Sequence, residues 1–486
     1  MQHRVLFSEK PKILMLAIEP PRSRGLGGEV RTFHFVRALA QQGELTLAVL
    51  DPVGERVPDA DIAKMCKAVF RPMPSNEGEG LGRLRSPRLL SWLRTLGVLF
   101  APWRDNWSRL LSYWLQFCPV VPQGEGKPLK RSRRVLSALL DLEFRIAARC
   151  CSVPSMLTFY YAEAFRRMIP RLVEAGKAER FDVIWVEHSF IYPFAQELLR
   201  SMGKTLVVCN AHNVEFRLQE RHVGLAKTRR EKGYWHDQSR LMRNIETRAF
   251  RDSDLVIACS EQDRASVLDL APSARVTVIG NGVDAKNVRP CQPRGLAPVP
   301  TVLFTGTFSY GPNVDAAGYF VREIFPVVKR EIPSCRFVVA GYLAQSALDQ
   351  AGIRDDSLTC VTSPEDMRPL FDQAWAFVVP LRIGGGTRLK ILEAMAMEVP
   401  VVSTRIGAEG VPYVDGTHLL LADAPQEFAA ALIRLLSDAE LRAGLAAKAA
   451  QFARQNYDWE LLCDRGMEKL QEVVADRRQN TVESNE

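Results

Sequence analysis

The stretch from Val378 to Thr404, VVPLRIGGGTRLKILEAMAMEVPVVST, concentrates residue types that can do chemistry. An apolar strand closes at Pro380, glycines open the backbone at Gly384, Gly385 and Gly386, and strong helix formers run from about Arg388 to Met397. Glycines ahead of a helix leave backbone N–H groups free for a phosphate, and the helix dipole adds attraction. Thr387 and Arg388 stand at the helix start. Lys390 and Glu393, three positions apart, share one helical face, while Leu389, Leu392 and Met395 or Ala396 can turn inward. A cation beside a diphosphate, with a carboxylate one turn deeper near ribose hydroxyls, would suit a nucleotide diphosphate. The same residues also read as a surface Lys–Glu pair following a tight turn.

Other single residues admit two readings each. Glu187 and His188 follow the apolar run Val183 to Val186 and could face an acceptor or belong to a capped loop. His34, between Phe33 and Phe35, reads as packing or surface. The Asn281–Gly282 pair is a tight turn. His212 follows the run Leu206 to Cys209, where a lone histidine is more often structural.

Elements that would position these residues alternate regularly. From Lys12 the pattern predicts a strand (Ile13 to Ile18), a glycine-rich loop (Gly25 to Gly28), a helix (Val30 to Gln42) and a strand (Leu45 to Leu50). Further apolar strands are expected at Val183 to Val186, Leu206 to Cys209, Leu255 to Cys259 and Val276 to Ile279. Continuous apolar runs separated by helices point to a parallel sheet covered on both faces. The alternation restarts after a proline-bearing stretch, with strands expected at Val302 to Thr305, Arg336 to Ala340, Leu358 to Val361, Ala376 to Val379 and Val399 to Ser403. At 486 residues the chain exceeds one ordinary core. We therefore expect a first Rossmann-like domain over 1–286, a linker over 287–300, a second over 301–455, closing helices over 456–475 and a frayed polar tail over 476–486.

Between about 76 and 154 the alternation stops. From Arg71 to Pro154 there are fourteen Lys or Arg against six Asp or Glu, an excess of eight that equals the net charge of the whole chain. Trp92, Trp103, Trp107 and Trp114 and leucines interleaved with arginine lie in the same segment. It reads either as a helical hairpin inserted in the first domain or as a basic amphipathic surface for anionic lipid. No nucleic-acid module accompanies it, so nucleic acid is not an expected partner.

With 47% hydrophobic and 25% charged residues, the composition is that of a globular protein. The ten cysteines form no C-x-x-C pair and no spacing with histidine, so no metal site is expected. Cys209 and Cys259 fall in apolar runs, as buried thiols of a reducing compartment would. The apolar stretch at Ile13 to Ile18 is too short for a signal sequence, and no run approaches the ~18 apolar residues of a spanning helix. A cytoplasmic protein is expected, resting on a membrane if it meets one.

Several sequence blocks together resemble the retaining glycosyltransferases of family 4, the group 1 transferases. In the C-terminal half these are FTGTF (Phe304 to Phe308), GPNVDA (Gly311 to Ala316), PEDMRPL (Pro364 to Leu370) and GGGTRLKILEAMA (Gly384 to Ala396). In the N-terminal half they are the GLGG loop, AHNVE (Ala211 to Glu215), the DSDLV stretch leading to Ser260, and NGVD (Asn281 to Asp284). The resemblance implies a GT-B fold, in which two Rossmann-like doubly wound domains face each other across a cleft and the final helices return to the first domain. It implies that Glu393 holds the ribose, that the start of its helix meets the diphosphate, and that His212 points at the transferred sugar. Gly27 and Gly28 would let the first loop approach donor phosphates or acceptor, and Gly306 and Thr307 would form the matching loop of the second domain.

The chain departs from the family pattern twice. Gly385 stands where a second glutamate, eight positions before Glu393, is usual, and no basic residue follows Gly306. Arg388 and Lys390 are then the cations left to meet the diphosphate, as in the G-G-G-T-R-x-K variant of the family. The implied activity is sugar transfer from a nucleotide diphosphate to a glycan or lipid-linked acceptor, with no cofactor and no metal, in cell-surface or exopolysaccharide synthesis. Rival readings are a sugar-nucleotide epimerase or phosphorylase of similar architecture, and a non-catalytic nucleotide-sugar-binding subunit. A dehydrogenase is disfavoured because the first loop reads GLGGEV rather than G-x-G-x-x-G.

Overall fold

The computed structural model describes residues 10–23, 25, 27–49, 58–71, 163–178, 180–202, 205–226, 228–291, 295–383 and 389–483. The basic segment at about 76–154 lies outside the described residues, as do Gly385, Gly386, Thr387 and Arg388. The chain forms two compact units, Met1–Thr277 with Met467–Glu486, and Val278–Gly466.

The first unit is built on a sheet whose described strands are β1 (Lys12–Ala17), β2 (Glu44–Val49), β3 (Ala68–Phe70), β4 (Val183–Glu187), β5 (Leu206–Ala211), β6 (Leu255–Ala258) and β7 (Val276–Val278). Their order is β3-β2-β1-β4-β5-β6-β7, with parallel pairing from β3 through β6. Every residue of β4, β5 and β6 is buried, which is why these strands are apolar along both faces. Two polar residues break that rule at the C-terminal ends: Glu187 of β4 lies in register with Asn210 of β5.

The second unit repeats the plan with β8 (Thr301–Thr305), β9 (Arg336–Gly341), β10 (Leu358–Thr362), β11 (Ala376–Val379), β12 (Val401–Ser403) and β13 (Leu420–Leu421). The order is β10-β9-β8-β11-β12-β13, and each pairing is parallel. Phe304, Phe320, Phe325, Phe337 and Phe377 are fully buried in its core, Phe320 and Phe337 with ring centroids 4.4 Å apart. The NGVD turn also belongs here. Val283 N–H donates to the Tyr457 carbonyl at 2.7 Å, and a Cβ on Gly282 would sit 2.7 Å from that same oxygen, so close backbone approach demands glycine. The stretch expected as a linker is tied in too: Ala297 N–H donates to the Gln373 carbonyl, and Trp375 Nε1 donates to the Ala297 carbonyl at 2.9 Å.

Two boundaries differ from expectation. The first helix spans Gly27–Gln42, so Gly27 and Gly28 open the helix rather than close a loop. At the other end the helix Trp459–Glu483 runs through most of the tail expected to fray. Leu470, Val473 and Val474 are buried, Asp476 meets Arg275 at 2.8 Å and Arg477 meets Asp254 at 2.8 Å, so tertiary contacts hold a polar sequence in a helix. Among the described residues, no helix is long and apolar enough to cross a membrane.

Candidate functional site

In an open parallel sheet, ligands bind beyond the carboxyl ends of the strands where the strand order reverses. The first sheet reverses between β1 and β4, the second between β8 and β11. Several of the described candidate residues lie at these two places.

In the second unit β8 ends at Thr305 and the chain passes through Gly306 and Thr307. Asn313, on the helix Gly311–Tyr319, donates from Nδ2 to the Thr307 carbonyl at 2.9 Å. Its Oδ1 accepts from Lys390 Nζ at 2.9 Å. Lys390 Nζ also lies 4.5 Å from the ring centroid of Phe304, within cation–π range. A side chain at Gly306 would fill this corner: its Cβ would stand 2.8 Å from Asn313 Nδ2 and 3.1 Å from Lys390 Nζ. Gly341, at φ +142°, lets β9 pass so close that a Cβ there would meet the Gly306 carbonyl. Gly306, Thr307 and Lys390 are therefore brought together, through an asparagine that sequence reasoning quoted within GPNVDA but did not single out.

The helix Leu389–Ala396 buries Ile391, Leu392, Ala394, Met395 and Ala396, leaving Lys390 and Glu393 partly buried on its other side. Burial pushes the Glu393 carboxyl above its ordinary pKa, and the Lys390 charge pulls it back in part. Arg382, following β11, is bidentate to Asp315, with contacts of 3.1 and 2.6 Å, and its guanidinium lies 4.5 Å from the Tyr319 ring centroid. This pair ties the chain ahead of the triple-glycine segment to the helix that carries Asn313.

In the first unit the corner is a buried polar web. Glu187 is wholly inaccessible. Its carboxylate accepts from Trp185 Nε1 at 2.6 Å, from Asn210 Nδ2 at 3.0 and 3.2 Å, from Thr32 Oγ1 at 3.4 Å, and it bonds His212 Nε2. Arg31, also buried, donates to Asn210 Oδ1 from Nε at 3.2 Å and from Nη2 at 2.8 Å, so the amide must turn its NH2 toward Glu187. Burial works to raise the Glu187 pKa, but the His212, Asn210 and Arg31 interactions outweigh it and hold the carboxyl below its ordinary value. Glu187 thus lies inside the fold, at the end of β4.

His212 follows β5 and is itself nearly buried; burial lowers its pKa, opposed by Glu187. The His188 ring lies against it, tilted by 36°, with centroids 3.8 Å apart. His188 takes a left-handed backbone, φ 77°, and its Nδ1 is buried with no hydrogen-bond partner among the described residues. Such strain in a non-glycine residue persists only where surrounding contacts impose it. Burial, then His212 and Arg31, hold the His188 pKa well below normal, so the ring is neutral. Gly28, at the start of the helix Gly27–Gln42, faces the same corner: a Cβ there would be 2.6 Å from Glu19 Oε2 and 3.5 Å from His212 Nδ1. His34 packs edge-on against Phe33. Cys209 and Cys259 are buried free thiols, both pushed up in pKa by burial, Cys259 to about 11.

Comparison with known proteins follows the division into halves. Residues 129–287 match the family described as Glycosyltransferase Family 4, and residues 299–438 match the family described as Glycosyl transferases group 1. A protein of the Klebsiella pneumoniae cps region, itself uncharacterized, is 29% identical over 164 residues, 32% of this chain and 42% of that protein. The matched region thus spans under half of that relative's length. Among solved structures, sucrose-phosphate synthase from Thermosynechococcus elongatus superposes with a TM-score of 0.59 at 15% identity, covering 96% of this chain and 100% of the other. HepE of Anabaena, solved in complex with UDP-glucose, superposes with a TM-score of 0.57 at 13% identity, covering 95% of this chain and 100% of the other. With both sheets doubly wound and both halves matched in order, the chain belongs to the family 4, group 1 glycosyltransferases and has the GT-B fold.

Proposed function

We propose that this chain is a retaining glycosyltransferase that moves a sugar from a nucleotide diphosphate donor to a glycan or lipid-linked acceptor, in cell-surface or exopolysaccharide synthesis. The observation that carries this reading is the corner where Lys390, held by Asn313, stands over Gly306 at the strand-order reversal of the second sheet, with Glu393 one turn further along. The Anabaena protein's complex with UDP-glucose and the cps location of the Klebsiella relative support the substrate class and the role.

As the anomeric bond breaks, negative charge grows on the β-phosphate and positive character on the sugar carbon. Lys390 and Arg388, with the amides of Gly386, Thr387 and Arg388, stabilise the leaving diphosphate. Glu393 binds the ribose hydroxyls. Its raised pKa reflects a carboxyl that is costly to bury charged, and ribose hydroxyls would supply the donors it needs. These groups give the charge stabilisation that a divalent cation would otherwise supply, so the reaction proceeds without one. The acceptor hydroxyl attacks from the face the diphosphate leaves, its proton passing to the departing diphosphate oxygen, and configuration is retained.

The test is a panel of UDP, GDP and ADP sugars in a thermal-shift measurement, followed by transfer of labelled sugar and assignment of the product's anomeric configuration by NMR. One nucleotide class should stabilise the chain, since a ligand at a hundred times its Kd adds about 2.7 kcal/mol. Stabilisation by none of them defeats the reading. Donor turnover without transfer, or turnover dependent on inorganic phosphate, favours an epimerase or phosphorylase instead.

A further inference from the structure

Three cations, Arg382, Arg388 and Lys390, stand along the segment PLRIGGGTRLK. By residue type alone, any of them could meet a phosphate. The structure separates the first from the last. Lys390 reaches the neutral amide of Asn313 at 2.9 Å. Arg382 instead faces one continuous helical run, from Gly311 to Glu331, through three residues spaced four apart. Its Nε and Nη2 donate to Asp315 at 3.1 and 2.6 Å, the Tyr319 ring centroid lies 4.5 Å from its guanidinium, and Glu323 comes within 4.0 Å. Glu323 sits in a five-residue π-turn, Phe320–Ile324, a helical irregularity that recurs at functional sites.

Two carboxylates around one guanidinium leave no net positive charge to offer an anion. The two-point contact with Asp315 fixes direction as well as distance. The backbone just ahead of Arg382 is pinned from the end of β12. The Val379 carbonyl accepts from Thr404 N–H at 3.2 Å and from Ser403 Oγ at 3.3 Å, and the Leu381 carbonyl accepts from Thr404 Oγ1 at 2.5 Å. The helix that holds Lys390 through Asn313 thus also holds, through Asp315, the chain two residues before Gly384.

We propose that Arg382 is a positioning residue, locked by Asp315 so that the chain enters the glycine run at a fixed place, and that it is not itself a ligand of the donor diphosphate. This inference rests on the transferase reading above and deepens it, because the diphosphate charge then falls to Arg388 and Lys390 alone among the three cations.

The sign of one substitution separates the two roles. Were Arg382 a phosphate ligand, removing the competing Asp315 carboxylate would free its charge and tighten binding; if Arg382 positions the chain, the same removal weakens it. Calorimetry on Asp315→Asn, Arg382→Gln and the double variant uses whichever of UDP, GDP and ADP binds the wild-type chain most tightly. Each single change should weaken binding by about tenfold, and the double by no more than either alone, because the two residues act as one unit. Arg382→Lys keeps the charge but loses the fork, and should behave as Arg382→Gln does. The double variant leaves the net charge unchanged and should keep the wild-type dependence of Kd on salt. Tighter or unchanged binding in Asp315→Asn overturns the proposal, as does full affinity in Arg382→Lys or a flattened salt dependence in the double variant. Should Asp315→Asn not fold, the comparison of Arg382→Lys with Arg382→Gln decides. A wild-type chain that binds none of the three nucleotides defeats the transferase reading itself, whereas wild-type binding that the variants preserve removes only the role of Arg382.

Discussion

Lys390 is held by the neutral amide of Asn313 and by the ring face of Phe304, and its charge acts on the Glu393 carboxyl. A cation placed this way at the end of β8 suits an anionic ligand. Replacing it with methionine keeps the stem over Phe304 and removes the charge. Charge-assisted bonds to phosphate are among the stronger ones. We expect Lys390→Met to weaken binding of the preferred nucleoside diphosphate by about tenfold or more, ~1.4 kcal/mol, with the melting temperature of the unliganded chain little changed. Calorimetry on both forms decides it, and an unaltered Kd removes Lys390 from the donor site. Gly306→Ala should act through the same corner, because its Cβ would displace both Asn313 and Lys390. At this scale the sequence marked Lys390 and Glu393 by their helical spacing, while Gly306 and His212 were singled out only by resemblance to the family. It could not display Asn313 as the link between Thr307 and Lys390, nor the inward turn of Glu187. Both follow from which strands and helices become neighbours.

Helix termini depend on neighbours in the same way. The helix Glu215–Leu225 has no side-chain cap of its own. Its first amides are met instead by Glu246, from the helix Arg229–Asp252, which accepts from Glu215 N–H at 2.9 Å, from Phe216 N–H at 2.8 Å and from Ser189 Oγ at 2.7 Å. The Glu246 carboxyl thereby satisfies N–H groups that every helix start leaves open. Burial raises the Glu246 carboxyl to about 8, with the nearby Glu215 adding to the rise, and burial raises Glu215 itself to about 7. Both values lie above the ~4.3 of an unfolded glutamate. The native state therefore holds extra protons between these limits, and the stability they contribute is full below the unfolded value and lost as pH rises through 7 to 8. Urea unfolding midpoints should fall between pH 5 and 9 in the wild type. In Glu246→Gln the fall should be shallower, with Glu215 left to titrate. Parallel slopes in the two proteins would show that Glu246 does not carry the effect. The apolar strands and the helices between them could be read from residue order because burial on both faces writes a continuous run. β3 and β13 escaped notice, being edge strands of three and two residues.

At the scale of the whole molecule, the chain repeats one doubly wound plan twice and carries its net positive charge in one segment. The repetition was visible in the order of motifs. The extension of the last helix to Glu483 was not, because nothing in a polar tail announces the distant Asp254 and Arg275 that meet it. From Arg71 to Pro154 fourteen Lys or Arg stand against six Asp or Glu, so the remainder of the chain is neutral by difference from the total of +8. A neutral body with one strongly cationic segment should be drawn to an anionic surface through that segment alone. Each Lys or Arg near such a surface contributes about 1 kcal/mol, and the attraction decays over a Debye length of about 8 Å at physiological salt. The full chain should therefore float with vesicles containing phosphatidylserine, stay in solution with phosphatidylcholine vesicles, and be released from the anionic ones at high salt. Exchange of Arg83, Arg85, Arg88 and Arg94 for glutamine should cut flotation several-fold while leaving transfer to a water-soluble acceptor intact. A chain that never associates with the anionic vesicles would detach the lipid-linked acceptor from the proposal and leave the two sheet corners to act on soluble glycans.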